Sequence, residues 1–195
     1  MTTKEQVWRT ILTGRHAARL EWQQKQLASD LNLPVSTVHE ALRIPRRAGA
    51  VHVHPRGFVL ADWRKLLLIW AVFRNLETDT AWQARVRLPA GRAEGEMIPE
   101  ALFTGPSGFK FRYGFAPAEY DQVMVYVKDE HLPKLQERFA PHLDPRRGQT
   151  VLTALNPDPR LPGELPPEQL YADLWQMHPW WAAEFIRALE EKLDG

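Results

Sequence analysis

The stretch 26–42 constrains the fold of this 195-residue chain more than any other segment. It carries a small residue at Ala28, then Asn32 four residues later and Val38 ten residues later. Two helices that cross at a tight turn need this order, because the small side chain lets them touch and the apolar one anchors the second helix. Asparagine is one of the few residues besides glycine that accepts the left-handed backbone conformation. The spacing therefore predicts a helix-turn-helix with its turn at Asn32.

The segments on either side of this motif complete a small domain. Thr3–Gln6 is typical of a capping box at the start of a helix, and apolar residues follow it at helical spacing. After the motif, the alternating segment Val51–His54, a turn at Pro55–Gly57 and the apolar run Phe58–Leu60 predict a β-hairpin. A hairpin in this position is called a wing.

A helix-turn-helix places its second helix in the major groove of duplex DNA. Val38, Ala41 and Leu42 must face the core. The other positions of this helix are then expected to face the DNA, and they are Ser36, Thr37, His39, Glu40 and Arg43. Hydroxyl groups at the helix N-terminus would meet phosphates, and basic side chains would reach a phosphate, a guanine or the adjacent minor groove. The candidate DNA-binding residues are Ser36, Thr37, His39, Arg43, Arg46, Arg47, His54 and Arg56.

Pro45 is expected to interrupt the second helix of the motif. Proline lacks the backbone N–H that continues a helix, and its ring clashes with the preceding turn. We therefore expect a kink or a restart at this residue, which would re-aim Arg46 and Arg47 relative to Ser36 and Thr37.

Residues 1–60 resemble the winged helix-turn-helix of bacterial transcriptional regulators, which implies binding to duplex DNA. They hold nine Lys or Arg against four Asp or Glu, a net charge of +5, whereas residues 61–195 hold sixteen against twenty, a net charge of −4. A basic segment at residues 1–60, followed by an acidic segment, suggests that residues 1–60 bind a polyanion. Two alternatives stay open: the motif is an ordinary helical hairpin packed as core, and the excess of arginine reflects the base composition of the genome.

Residues 62–195 carry a different pattern. Strands are predicted at 82–88, 122–127 and 150–155. Helices are predicted at 98–113, with an interruption at Thr104–Ser107, and at 132–139, 167–177 and 179–193. A polar loop is predicted at 89–95 and a rigid proline-rich connection at 156–167. This order, with the segments Thr104–Ser107, Val125–Val127 and Leu170–Leu174, resembles the AbiEi-type antitoxins of type IV toxin–antitoxin systems. The resemblance implies a degenerate nucleotidyltransferase-like domain, autorepression and a cognate toxin as partner. The expected fold class is α+β, with a winged helix-turn-helix over 1–61 and a mixed α/β domain over 62–195 that has a small sheet and a helical tail.

Catalysis by this second domain is not expected. An active nucleotidyltransferase needs a Gly-Ser turn for phosphates and two or three carboxylates for two metal ions. Pro106 separates Gly105 from Ser107 and removes an amide donor, and Val123 stands where a second acid would follow Asp121. One carboxylate cannot hold two metal ions.

Other cofactor chemistry has little support in the sequence. The chain has no cysteine, which excludes thiolate nucleophiles and thiolate zinc sites. His52 and His54 form the one close histidine pair, and no acid lies near them in sequence to complete a metal site. We therefore expect no cofactor and no metal.

The expected partners and location follow from two adjacent tryptophans, from the length of the longest apolar run and from the N-terminal sequence. Trp180 and Trp181 are adjacent, so on a helix their side chains point about 100° apart and one of them is expected to face outward, as at a dimer interface. The longest apolar run, Leu66–Phe73, is too short to span a bilayer, and the N-terminus has no signal-peptide pattern. We expect a cytoplasmic, sequence-specific transcriptional regulator that binds duplex DNA, with a homodimer or a cognate toxin as further partners. The alternatives are a protein–protein interaction module built on the winged helix and a nucleotidyltransferase.

Overall fold

A computed structural model describes residues 1–158, 161 and 163–194. The chain divides into two compact units, Met1–Arg74 and Asn75–Gly195. The division lies after the helix that follows the hairpin, whereas the sequence suggested a boundary before that helix. Residues 1–74 hold twelve Lys or Arg and five Asp or Glu, a net charge of +7, and residues 75–195 hold thirteen and nineteen, a net charge of −6. The contrast in charge is therefore sharper between the compact units than between the sequence segments.

The first unit consists of four helices and a three-stranded antiparallel sheet in the order β1-β3-β2. Its elements are α1 (Thr3–Gly14), β1 (Glu21–Trp22), α2 (Gln24–Asp30), α3 (Val35–Arg47), β2 (Val51–His54), β3 (Gly57–Leu60) and α4 (Trp63–Phe73). The capping box at α1 is formed by Thr2 and Glu5, one residue earlier than predicted: the Thr2 hydroxyl accepts from the Glu5 amide at 3.3 Å, and the Glu5 carboxylate accepts from the Thr2 amide at 2.7 Å.

A buried ion pair fastens the end of the first unit to its beginning. The Arg74 guanidinium lies 3.5 Å from the Glu5 carboxylate, and both side chains are almost fully buried. The indole N–H of Trp70 donates to the same carboxylate at 3.4 Å. Removing one member of such a pair leaves a buried charge, which typically costs about 3–5 kcal/mol. This contact explains why α4 belongs to the first unit.

Strand β1 was not predicted, and a glycine allows it to pair. A Cβ atom at Gly57 would lie 2.0 Å from the carbonyl oxygen of Trp22, so only glycine permits β1 and β3 to approach this closely. Two residues are too few to give an alternating pattern, and nothing in the local sequence distinguishes Glu21 and Trp22 from a loop.

The second unit is a four-stranded mixed sheet covered by helices. Its elements are α5 (Leu76–Asp79), β4 (Thr80–Val86), α6 (Ala90–Gly95), β5 (Leu102–Thr104), α7 (Gly105–Tyr113), β6 (Gln122–Tyr126), α8 (Leu132–Phe139), β7 (Thr150–Leu155), α9 (Pro167–Trp175) and α10 (Ala182–Asp194). The strand order is β4-β7-β6-β5, with β6 and β7 parallel and the outer pairs antiparallel. The expected α+β class with small sheets is confirmed.

Alternation along β6 gives the sheet two buried faces. Val123 and Val125 pack into an apolar cluster with residues of α6, α8 and β7. Tyr126 points to the opposite face, where its hydroxyl donates to Asp173 of α9 at 2.7 Å. Because successive side chains of a strand point to opposite faces, α8 and α9 lie on opposite sides of the sheet.

Two segments of the second unit differ from the sequence prediction. Residues 102 and 103, predicted to be helical, form β5 together with Thr104 and pair with β6. The Thr104 hydroxyl donates to the buried Asp173 carboxylate at 2.7 Å. The predicted polar loop at 89–95 contains helix α6, whose Glu94 carboxylate is buried and binds Lys110 at 2.6 Å and the Tyr120 hydroxyl. In both cases partners distant in sequence decide the conformation, and a local pattern does not contain them. Part of the predicted proline-rich connection, residues 159, 160 and 162, lies outside the described residues.

Candidate nucleic-acid interface

The turn between α2 and α3 has the geometry that the sequence predicts. Asn32 has a φ angle of +49°, and among the described residues only Ala18 shares a positive φ without being glycine. Ala28 and Val38 are buried, and the Leu33 amide donates to the Ala28 carbonyl at 2.8 Å. The helix-turn-helix is therefore held by the three residues from which it was predicted.

Helix α3 buries Val38, Ala41, Leu42 and Pro45 and exposes a stripe on its other side. The exposed or half-exposed side chains along that stripe are Ser36, Thr37, His39, Glu40, Arg43, Arg46 and Arg47. Of these, Thr37 and Glu40 are half-buried and the others are exposed. The N-cap residue, Pro34, provides no side-chain acceptor, so the first turn of α3 keeps backbone N–H groups that can meet a phosphate.

Of the kink or restart expected at Pro45, the restart does not occur, because α3 runs as one helix from Val35 to Arg47. Proline at this position removes the N–H that would bind the Ala41 carbonyl, four residues earlier. The indole N–H of Trp8 in α1 donates to that carbonyl instead, at 2.8 Å and fully buried. Tertiary contact therefore satisfies the acceptor that proline leaves open, and Arg46 and Arg47 continue the stripe.

A hollow of about 270 Å³ lies between α3 and β2. It is lined by Gln24, His39, Leu42, Arg43, Arg46, Arg47 and Val53. Three of these residues are arginines, so the positive charge around the hollow favours an anion such as a phosphate. The sequence identified the four polar residues of α3, but it missed Gln24 and Val53, which come from other elements.

The hairpin β2–β3 exposes the remaining candidates. His54 pairs with Gly57 at the end of the two strands, and the backbone N–H of Arg56 donates to the Nδ1 atom of His54 at 3.3 Å. His52, His54 and Arg56 are all exposed. The hairpin therefore presents one cation at its turn, Arg56, and two exposed histidines along β2.

One acid interrupts the basic stripe. The Glu40 carboxylate lies 3.3 Å from Arg43 Nη2 and 3.5 Å from Lys4 Nζ of α1. Arg43 remains 73% exposed in this pair. Lys4 was not a candidate, since only the packing of α1 against α3 brings it to the stripe.

The two segments that suggested a nucleotidyltransferase, the turn at Gly105 and the acid Asp121, contact other residues of the second unit. The turn from Gly105 to Gly108 at the start of α7 is buried, and a Cβ atom at Gly105 would lie in van der Waals contact with the sulfur of Met177, at 3.4 Å. Asp121 accepts from the indole N–H of Trp181 at 3.3 Å. Trp181 is buried and Trp180 is 73% exposed, but both precede α10, which begins at Ala182, so the predicted helix at 179–193 starts later and does not include them.

Neither a metal cluster nor a membrane helix is present in the described part of the chain. Over these residues, no group of three or more His, Cys, Asp or Glu side chains could hold a metal ion. Within the same ranges, 1–158, 161 and 163–194, no helix is long and apolar enough to cross a membrane. Comparisons of the chain with protein-family models, with curated proteins and with solved structures find no match.

Proposed function

We propose that the first unit binds duplex DNA and that the chain is a transcriptional regulator. The observation that carries this proposal is the stripe of exposed cations on α3, which continues into the arginine-lined hollow beside the wing. Helix α3 would lie in the major groove, the hollow would hold a backbone phosphate, and Arg56 would approach the neighbouring backbone or minor groove.

The charge distribution supports the same assignment. The first unit has a net charge of +7 although the whole chain has +1. Neutralising phosphates releases counterions, so log Kobs should fall with log salt concentration by about 0.9 per phosphate contact. A protein partner recognised through apolar contacts would show a much weaker dependence on salt.

Fluorescence anisotropy with labelled promoter duplexes over a salt series tests the proposal. We expect Arg46→Ala to weaken binding similarly for all sequences and to reduce the slope by about 1, because it removes one phosphate contact. Arg92→Ala is the matched control, since it removes the same charge from an arginine that is 75% exposed in the second unit. An Arg46→Ala slope equal to that of the control, or no binding by the wild type at low salt, would contradict DNA binding.

The antitoxin role is a further part of the proposal and rests on the resemblance of residues 62–195. On this proposal the chain represses its own promoter in the cytoplasm, and the second unit is a non-catalytic body that binds a cognate toxin or a second copy. The burial of the turn from Gly105 to Gly108 supports a non-catalytic role. Helix α3 continues through Pro45, which keeps Arg46 and Arg47 on its exposed side and supports DNA rather than a protein as the partner of α3.

A further inference from the structure

The single acid on the DNA-facing stripe of α3 calls for a physical explanation. Glu40 is the only Asp or Glu between Val35 and Arg47. A carboxylate placed against a polyanion repels it, so a helix that only neutralised phosphates would bind more tightly without this side chain. Its presence on this face therefore indicates a role other than phosphate neutralisation.

The contacts of Glu40 show what that role can be. Its Oε1 atom lies 3.3 Å from Arg43 Nη2 and 3.5 Å from Lys4 Nζ. Lys4 of α1 therefore restrains the carboxylate, and the carboxylate in turn restrains the Arg43 guanidinium. Arg43 uses one nitrogen in this contact, and a guanidinium has five N–H donors in a planar fork. Enough donors remain for a bidentate contact directed away from the helix.

A guanine presents the matching acceptors in the major groove. Its O6 and N7 atoms accept two parallel N–H groups from arginine, and this pairing is the commonest specific contact to a base. In free protein the Glu40–Arg43 pair is hydrated and contributes little. When the helix enters the groove, water is displaced, and the carboxylate then fixes the orientation of the guanidinium in surroundings where charge interactions are stronger.

We propose that Arg43, oriented by Glu40, reads a guanine in the major groove, and that Glu40 is a positioning residue that gives up affinity for specificity. This inference rests on the proposed binding of duplex DNA. It gives the arginines of the first unit different roles. Arg43 lines the hollow together with Arg46 and Arg47 but reads sequence, whereas those two and Arg56 at the wing contact the backbone.

The inference is tested by selection from a pool of short duplexes with a randomised central segment, followed by affinity measurements on the selected sequence and on variants changed at each guanine. For the wild type we expect one guanine whose replacement weakens binding about tenfold to hundredfold. Arg43→Ala and Arg43→Lys should both remove that preference, and Arg43→Lys should keep most of the affinity because it keeps the charge but lacks the fork.

Glu40→Gln is the decisive variant. We expect it to bind every duplex more tightly while the preference for the guanine falls severalfold, because the carboxylate no longer orients Arg43. Glu21→Gln, an exposed acid of the first unit outside α3, is the matched control and should leave the preference unchanged. Thermal melting of each variant confirms that it is folded.

The outcomes separate this inference from the function on which it rests. If the wild type binds DNA but Arg43→Ala weakens all sequences equally, Arg43 is a phosphate contact and the inference is overturned, while DNA binding stands. If Glu40→Gln leaves the guanine preference intact, Glu40 does not position Arg43. If the wild type prefers a cytosine and Glu40→Gln abolishes that preference, Glu40 contacts the base itself. Either result would overturn the positioning role of Glu40. Failure of the wild type to bind any duplex at low salt would overturn both.

Discussion

At the residue scale, the hydrogen bond from Trp8 to the Ala41 carbonyl is the contact on which the course of α3 depends. It supplies a donor that Pro45 cannot, and both partners are buried. A buried carbonyl without a partner costs about 1–3 kcal/mol. Because Arg46 and Arg47 follow Pro45 directly, this indole also determines where two of the proposed phosphate contacts lie.

A double-mutant cycle measures this compensation. We expect Trp8→Phe to lower the free energy of unfolding by about 2–4 kcal/mol, since it removes the donor and some packing. In the Pro45→Ala background the backbone N–H at position 45 can bind the Ala41 carbonyl, so Trp8→Phe should cost about 1 kcal/mol less there. Urea unfolding of the four proteins gives the coupling energy. Additive effects would mean that Trp8 acts only through packing.

At the element scale, helix α4 has Asp62 as its N-cap, and the negative charge of this aspartate contributes to the cap. Asp62 Oδ1 accepts from the Lys65 amide at 3.0 Å, and this bond, with the nearby Lys65 ammonium, holds the pKa of Asp62 below its ordinary value. A carboxylate with a lowered pKa in the folded state stabilises that state above the unfolded pKa of about 3.9 and loses this contribution as the pH falls through the folded pKa.

Two substitutions at this cap separate hydrogen bonding from charge. Asp62→Ala should destabilise the first unit by about 1 kcal/mol at neutral pH, and by less at a pH below the folded pKa. Asp62→Asn keeps an N-cap acceptor that does not titrate, so it should retain most of the stability and lose the acid dependence. Denaturant unfolding at several pH values checks both. An Asp62→Asn protein with the same acid dependence as the wild type would show that other carboxylates produce it.

The elements also show which features a local sequence pattern can reveal. The turn at Asn32 was predictable because each requirement selects a residue type at a fixed spacing. The helix contact needs a small residue at Ala28, the left-handed backbone favours Asn32, and the second helix needs an apolar anchor at Val38. Strand β5 was not, since three residues fit a helix or a strand until their pairing with β6 decides. The kink or restart at Pro45 was predicted from a valid local rule, but the indole that supplies the missing donor lies 37 residues earlier in the chain. At the candidate site, local patterns identified the side chains of α3 and the wing but not Gln24, Val53 or Lys4, which only tertiary packing brings there.

At the scale of the whole molecule, the net charge of +1 conceals two units of opposite sign. A polyanion should be attracted to residues 1–74 and repelled by residues 75–195, so the regulator proposal requires that DNA contact be confined to the first unit. This confinement does not follow from α3 alone, because Arg and Lys side chains are exposed on the second unit as well.

Amide hydrogen exchange with and without duplex DNA tests the division of charge directly. At a DNA concentration about 100 times Kd, binding stabilises the folded state by about 2.7 kcal/mol, and slower exchange should appear in α3 and in the β2–β3 hairpin. Strands β4–β7 should exchange at unchanged rates, because the acidic unit makes no contact with the phosphates. Raising the salt concentration should abolish the protection by weakening binding. Protection of comparable size in the second unit would show that this unit also contacts DNA. The division of roles inferred from charge would then be wrong.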